Sequence, residues 1–201
     1  MTTFALPALP AALTWAHEPV AWTVDSGDQL TIQAGAATDW FIDPAGGQRK
    51  DDAPAALFAP VGQEFTLSAR VRVAFAATFD AGALQARVSD DVWAKLCFEY
   101  SPQRQLMIVS VVTRGVSDDC NSARIEDETV FLRMKRRGAV FAFHYSLDAR
   151  LWQLVRYFSL GDAPNPRIGF SAQSPTGDGC AVTLSQIRYT PTAGADLRGG
   201  A

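Results

Sequence analysis

Trp93, Lys95 and Glu99 occupy alternate positions in the run VWAKLCFEY, Val92 to Tyr100. In a strand, side chains two residues apart share a face about 6.6 Å apart. One face of this strand would therefore carry an indole, an ammonium and a carboxylate. That combination suits a sugar: the indole stacks on the apolar side of the ring and the charged groups hold its hydroxyls. Lys95 and Glu99 stand four residues apart, too far to pair directly, so each needs a partner from a neighbouring strand. Arg133 is the expected partner, with Ser146 joining from another neighbour. A salt-bridged sheet face without a ligand is the competing reading. Hydrolysis of a glycoside would instead need two carboxylates at a defined spacing. Glu99 would be the acid/base, and Asp80 or Asp118 the partner brought to it by the fold. Cys97 lies between Lys95 and Glu99 on the same face. Lys95 could lower its pKa, although burial as a small apolar group is the commoner state of such a thiol.

Other chemistries have weaker foundations. Ser117, Asp118, Asp119, Asn121 and Ser122 crowd oxygen atoms together but lack calcium-loop spacing; such a cluster reads as ordinary loop chemistry, and no metal is expected. Only two histidines occur, His17 and His144, and no G-x-S-x-G elbow is present. Gly46-Gly47 and Gly199-Gly200 lack the strand-to-helix setting of a phosphate loop, and no cofactor is expected.

The elements that must carry these residues read as strands. No window of helical length keeps an apolar period of 3.6. Phe65, Leu67, Ala69, Val71 and Val73 instead alternate with Thr66, Ser68, Arg70 and Arg72. Similar alternation recurs around Leu84, Val111, Val130, Phe143, Phe170 and Leu184, with an irregularity expected between Leu184 and Ile187. The stretch from Val130 to Phe158 holds three alternating segments joined by two tight turns, an antiparallel meander. Turn signals punctuate the runs at Ser26-Gly27-Asp28, Pro44 to Gly47, Ser101-Pro102, Arg137-Gly138, Gly161 to Pro166 and Pro175 to Gly179. Asp148 is expected to cap the turn before Trp152. Many short strands with such punctuation predict an all-β sandwich. Residues 1–192 form one domain, and 193–201 are expected to be a flexible tail.

Composition agrees. Of 201 residues, 48% are hydrophobic and 19% charged, enough apolar mass for a core. The net charge of -3 argues against a nucleic-acid partner, which needs a basic surface. Lys135, Arg136 and Arg137 are the one basic cluster, and a solubilising hairpin tip accounts for them. Three cysteines without CxxC spacing point to reduced thiols and a cytoplasmic protein. The apolar N-terminus lacks a basic flank and contains two prolines, so neither a signal peptide nor a membrane span is expected.

Several pieces, in this order along the chain, resemble the family called domain of unknown function 1349, the regulation-of-enolase-like proteins. They are TDWF from Thr38, FDAGAL from Phe79, VWAKLCFEY, SVVTRGVSDD from Ser110, the meander from Val130, and RIGFSAQSP from Arg167. The resemblance implies a concanavalin A-like jelly roll of two curved antiparallel sheets, as in lectins and glucanases. It implies a ligand surface on the concave sheet. The positions matching the family's polar pattern are Asp80, Trp93, Lys95, Glu99, Thr113, Ser117, Asp118, Arg133, Ser146, Asp148 and Trp152. The chain departs from the family at Ala149, where Gly usually follows the turn Asp, which predicts a different turn because Ala resists positive φ. The glucanase pattern E-x-D-x-x-E is absent. The expected function is binding of a carbohydrate or small sugar-like metabolite. A glycoside-acting enzyme and a protein-interaction module in metabolic regulation are the alternatives.

Overall fold

The structure is a computed structural model and describes residues 2–25, 28–162 and 166–200. The expected turns at Ser26-Gly27 and Ala163 to Asn165 lie outside the described residues. Strands are numbered in chain order. One sheet has eight, in the spatial order β1 (Thr3–Phe4), β2 (Leu13–Trp15), β7 (Ala55–Phe58), β16 (Arg167–Gln173), β9 (Ala81–Arg87), β10 (Val92–Tyr100), β11 (Leu106–Arg114) and β12 (Val116–Ile125). The other has seven: β15 (Gln153–Ser159), β14 (Val140–Ser146), β13 (Thr129–Arg137), β8 (Glu64–Val73), β17 (Ala181–Thr190), β4 (Leu30–Gln33) and β3 (Ala21–Val24). A separate hairpin pairs β5 (Trp40–Ile42) with β6 (Arg49–Asp51). Every pairing is antiparallel, and no helix occurs among the described residues. This is the expected all-β jelly-roll sandwich.

Alternation explains how the two layers close. In β8, Phe65, Leu67, Ala69 and Val71 are buried, while the residues between them are only partly so. They meet Leu84, Leu96, Phe98, Ile108 and Phe170 of the facing sheet in one core. Burying each such side chain contributes roughly 1.5–3 kcal/mol. Gly82 lets the layers approach: a Cβ there would lie 2.5 Å from Val182 Cγ1 and 2.8 Å from Val71 Cγ1. The expected irregularity in β17 is a bulge between Ser185 and Arg188, with Gln186 at φ 49°.

Two expectations change here. Residues 117–122 are not a loop but part of β12, paired with β11 from Val116 to Ile125. Their oxygens therefore alternate between faces instead of converging. The segment from Ala193 does not stand away from the domain. Ala193 and Leu197 are buried against Ala142, and the strap crosses the outside of the seven-stranded sheet.

Ala149 keeps the left-handed conformation, φ 59°, that glycine would adopt at lower cost. The turn is therefore not remodelled. Asp148 Oδ1 accepts hydrogen bonds from the N–H groups of Arg150 (2.8 Å) and Leu151 (2.9 Å), and those bonds hold Ala149 in place. A non-glycine residue in this region costs about 1–2 kcal/mol. Ala149→Gly should accordingly raise stability by roughly 1 kcal/mol, after glycine's own entropic penalty, in urea unfolding.

Candidate functional site

Strand β10 places Trp93, Lys95, Cys97 and Glu99 on the outer face of the eight-stranded sheet, away from the interlayer core. Their cross-strand neighbours are Arg87, Gln85, Ala83 and Ala81 on one side, and Thr113, Val111, Val109 and Met107 on the other. The hairpin of β5 and β6 lies over part of this face.

Trp93 is fully buried beneath that hairpin. Trp40 packs edge-on to it, with centroids 6.0 Å apart, and donates Nε1–H to the Ala53 carbonyl at 2.8 Å. Trp93 therefore offers no open stacking surface, contrary to the expectation. Its ring serves to seat the hairpin.

Arg133 does not partner Lys95 or Glu99. It lies in β13, beside His144 and Ser68, on the outer face of the other sheet. Ser146 lies on that same far face, where its hydroxyl bonds Asp148 at 3.0 Å. The partners of Lys95 come from distant segments instead. Its ammonium donates to Asp39 Oδ1 at 3.0 Å and to Gln173 Oε1 at 2.6 Å. Asp39 precedes β5, so this contact ties the hairpin to the sheet.

The two acids expected near Glu99 have other tasks. Asp80 is buried and saturated: Oδ2 accepts from the N–H groups of Ala76 and Ala77, each at 2.8 Å, and Oδ1 from the Ser174 hydroxyl at 2.6 Å. It builds the turn that carries Phe79. Asp118 faces the sandwich edge, where Arg156 Nη2 lies 2.9 Å away. Its neighbour Asp119, opposite Val111, has the parity that faces the site. Thr113 is buried, with its hydroxyl 2.9 Å from that of Ser117, and Ser117 accepts the Ile42 N–H at 2.9 Å. Thr113 thus anchors the hairpin.

A pocket of about 160 Å³ opens beside the hairpin. Asp39, Lys95, Glu99, Asp119 and Gln173 supply its polar wall, and Phe41, Phe79 and Val111 its apolar one. Phe79 sits at φ 69°, a costly conformation for a bulky residue. Two bonds maintain it: its N–H donates to the Tyr100 carbonyl at 2.7 Å, and its carbonyl accepts from Gln173 Nε2 at 3.2 Å. Strain of this kind concentrates at ligand clamps. Larger hollows of about 430 and 660 Å³ border Arg72 and Glu128, but these charges are exposed and pair with each other at 3.2 Å.

Electrostatics separates the pocket's charges. Burial pushes Glu99 up to about 8 despite nearby Lys95, with Asp119 and Asp39 adding to the rise. Burial likewise raises Asp119. Burial pulls Lys95 down, but the surrounding acidic groups, Asp39 foremost and then Cys97 and Glu99, together offset this and hold it above its ordinary value. Burial raises the Cys97 thiol far out of the reactive range, so it acts as an apolar filler. At neutral pH the pocket contains an ammonium–carboxylate pair beside a largely protonated Glu99. Among the described residues, no protein group hydrogen-bonds the Glu99 side chain, which is only 7% exposed.

Glu99 also makes stability depend on pH. Its folded pKa lies above its ordinary 4.5, so the folded state holds a proton that the unfolded state releases. The stabilisation is complete below about pH 4.5 and is lost as pH rises towards about 8. Glu99→Gln should remove this slope, making the variant more stable than the parent at pH 8 by on the order of 2–4 kcal/mol in urea unfolding. Parallel pH curves for the two proteins would contradict the assignment.

The family model described as "Protein of unknown function (DUF1349)" matches residues 15–192. The chain belongs to the DUF1349 family. A functionally unknown protein from Saccharomyces cerevisiae has the same fold as this DUF1349 protein, with a TM-score of 0.83 and 25% identity over 90% of this chain and 97% of that one. The GH43 protein BlXynB from Bacillus licheniformis aligns at a TM-score of 0.70 and 15% identity, covering 87% of the DUF1349 chain but 35% of the larger protein. The carbohydrate-binding module CBM66 from Bacillus subtilis aligns at 0.56 and 12% identity, covering 87% and 94%. At these low identities the last two share the fold alone. No curated protein sequence matches the DUF1349 chain.

Sequence reasoning missed Asp39, Phe41, Phe79, Gln173 and Asp119 as pocket residues. Asp39 and Phe41 lie in TDWF and Phe79 begins FDAGAL, so two conspicuous segments already contained them. Gln173 carried no local signal. Asp119 was legible only through the parity of a strand read as a loop.

Proposed function

We propose that the pocket binds a neutral, hydroxyl-rich small molecule, a single sugar ring or sugar-like metabolite. The observation that carries this reading is Glu99: a buried, mainly protonated carboxyl turned to a pocket and without a protein partner. A group in that state both donates and accepts a hydrogen bond, as a hydroxyl partner must. Leaving it unmatched costs about 1–3 kcal/mol, which a ligand hydroxyl would recover. Lys95 is already neutralised by Asp39, so the pocket has little attraction for an anion. Phe79 and Phe41 replace Trp93 as the apolar platform. The volume of about 160 Å³ is below the roughly 300–1,000 Å³ of pockets for drug-sized ligands. The carbohydrate-binding and glycoside-acting proteins that share this fold support the ligand class by analogy only.

Calorimetric titration with a panel of mono- and disaccharides tests the reading. At least one should bind at neutral pH, with Phe79→Ala weakening it tenfold or more, about 1.4 kcal/mol. Affinity should fall above pH 8 as Glu99 ionises. No binding across the panel, or affinity unchanged in Phe79→Ala, would remove the proposal.

A second reading is glycoside hydrolysis with Glu99 as general acid. The raised pKa of Glu99 beside Asp119 favours it, because an acid that stays protonated at neutral pH next to another carboxyl is what such chemistry requires. Hydrolysis of a disaccharide or alkyl glycoside, whose poor leaving group must be protonated, abolished in Glu99→Gln, distinguishes it from binding alone. The unpaired thiols of Cys97, Cys120 and Cys180 accord with a reducing, cytoplasmic setting. No helix among the described residues is long and apolar enough to cross a membrane.

A further inference from the structure

The far side of the molecule holds a second concentration of chemistry. Strand β13 alternates so that Arg133, Lys135 and Arg137 all point out of the seven-stranded sheet. His144 of β14 stands directly opposite Arg133. Arg133 is 5% exposed and His144 is fully buried. Arg133 Nε and both ring nitrogens of His144 are buried without a hydrogen-bond partner among the described residues. Trp152 supports the arrangement from one side, with the Arg133 guanidinium 4.3 Å from its ring centre.

What covers this cluster is backbone. The strap beyond Ala193 presents carbonyls: Gly199 to Arg133 Nη2 at 3.3 Å, Asp196 to Lys135 Nζ at 3.5 Å, and Ala195 to Arg137 Nη1 at 3.2 Å. The contacts to Arg133 and Lys135 are long, at the weak end of hydrogen bonding, whereas Arg137 Nη2 also donates to the Gly194 carbonyl and ties down that end of the strap. The nearby carboxylates do not serve Arg133 or His144. Asp196 Oδ1 accepts the Arg198 N–H at 2.8 Å, Asp148 is taken up by its own turn, and Glu64 pairs with Arg137 at 3.2 Å. Burial together with the Arg133 and Lys135 charges lowers His144 to about 4, against a weaker opposing pull from the backbone of Arg198 and Leu197, which face the ring without a well-formed hydrogen bond; at neutral pH it is an uncharged imidazole with one N–H to donate. Arg133 Nε and the His144 N–H are therefore donors without a good acceptor in a nearly closed space.

We propose that Arg133, Lys135 and His144 form a binding site for a phosphoryl anion, which displaces the carbonyls of residues 194–200. A tetrahedral oxyanion offers acceptors that a guanidinium engages in pairs, and charge-assisted bonds are about twice as strong as bonds to neutral carbonyls. The strap is held by two buried apolar side chains, Ala193 and Leu197, by the Arg137 guanidinium on the Gly194 and Ala195 carbonyls, and by Arg198 over the Tyr157 ring at 4.6 Å. A segment with two apolar anchors and long bonds over Arg133 and Lys135 can open locally there while the sandwich stays folded. The site is independent of the Glu99 pocket, which lies on the other sheet.

The test is an NMR titration of the full chain with inorganic phosphate, against sodium chloride at matched ionic strength, near pH 7.5. The amides of Gly194 and Gly199 and the His144 ring should shift and saturate with phosphate but not with chloride. Arg133→Gln should weaken the response at least tenfold, and Arg133→Lys, which keeps the charge and loses the planar fork, should fall between. Arg124→Gln, the same charge change on the opposite sheet, should leave it intact. Glycerol 3-phosphate is the second probe. A matching response shows that the site reads a phosphoryl group on a larger molecule, and a response to inorganic phosphate alone assigns it to the free ion. Equal shifts with chloride, or equal affinity in Arg133→Gln, would overturn the proposal. If Arg133→Gln fails to fold, Arg133→Lys with unaltered affinity overturns it equally.

Discussion

Lys95→Met should destabilise the protein by about 3–5 kcal/mol at neutral pH, the largest effect expected of any single substitution on the pocket. Methionine matches lysine in length, so little of the loss would come from packing. The loss comes from what is left behind. Lys95 is 2% exposed, and its ammonium is held by Asp39 and Gln173. Removing it leaves the Asp39 carboxylate, 16% exposed, facing a pocket with no cation, and leaves Gln173 Oε1 without its donor. The same change takes away the one charge that draws Glu99 downward, so Glu99 should become still harder to ionise. Urea unfolding with an unchanged m-value would report the stability term. Adding Asp39→Asn should recover part of the loss, because two neutral amides no longer carry an unpaired charge. A loss below 1 kcal/mol would mean that the pair behaves like a surface salt bridge and that the pocket floor is wetter than described.

Trp40→Ala should cost about 3–5 kcal/mol and change what the outer face exposes. Trp40 is fully buried between His17, Trp93 and Arg87, with ring centres 5.6 and 6.0 Å away and the guanidinium carbon at 4.9 Å. Truncation would remove those contacts and the hydrogen bond to Ala53. The hairpin would keep its other ties: Lys95 to Asp39, the Ile42 N–H to Ser117, and Arg49 to Asp91 at 2.6 Å. Trp93 should then meet solvent. In fluorotryptophan-labelled protein the Trp93 resonance should become sensitive to solvent isotope and soluble quencher, while that of Trp15, buried in the main core, should not. If Trp93 stays protected, something other than Trp40 seals the face. If saccharide affinity rises in this variant, the covered indole becomes an extension of the Glu99 pocket.

The amphipathic alternation of each strand was legible before any coordinates because it is a local property. A side chain two positions along must return to the same face, so β8 announced its dry residues and β10 grouped Trp93 with Lys95 and Glu99. The meander of β13, β14 and β15 was equally plain, since neighbours in sequence pair across short turns. The Asp148 turn was readable from one side chain and two nearby amides.

Parity says which residues share a face, but not which of two sheets a strand joins, nor what lies on top of it. Arg133 and Ser146 have the right alternation for an outer face, yet β13 pairs with β8, not with β10. That choice depends on which strands meet across long loops, a non-local outcome that no window of residues contains. Lys95 found its partners 56 residues before it and 78 after it, and Trp93 was closed off by a hairpin from a distant stretch of chain. Local pattern therefore determined the sandwich and the composition of each face. Only the packed molecule decided that the pocket forms around Glu99 and Phe79, because burial and hydrogen-bond partners belong to the assembled chain and not to any segment of it.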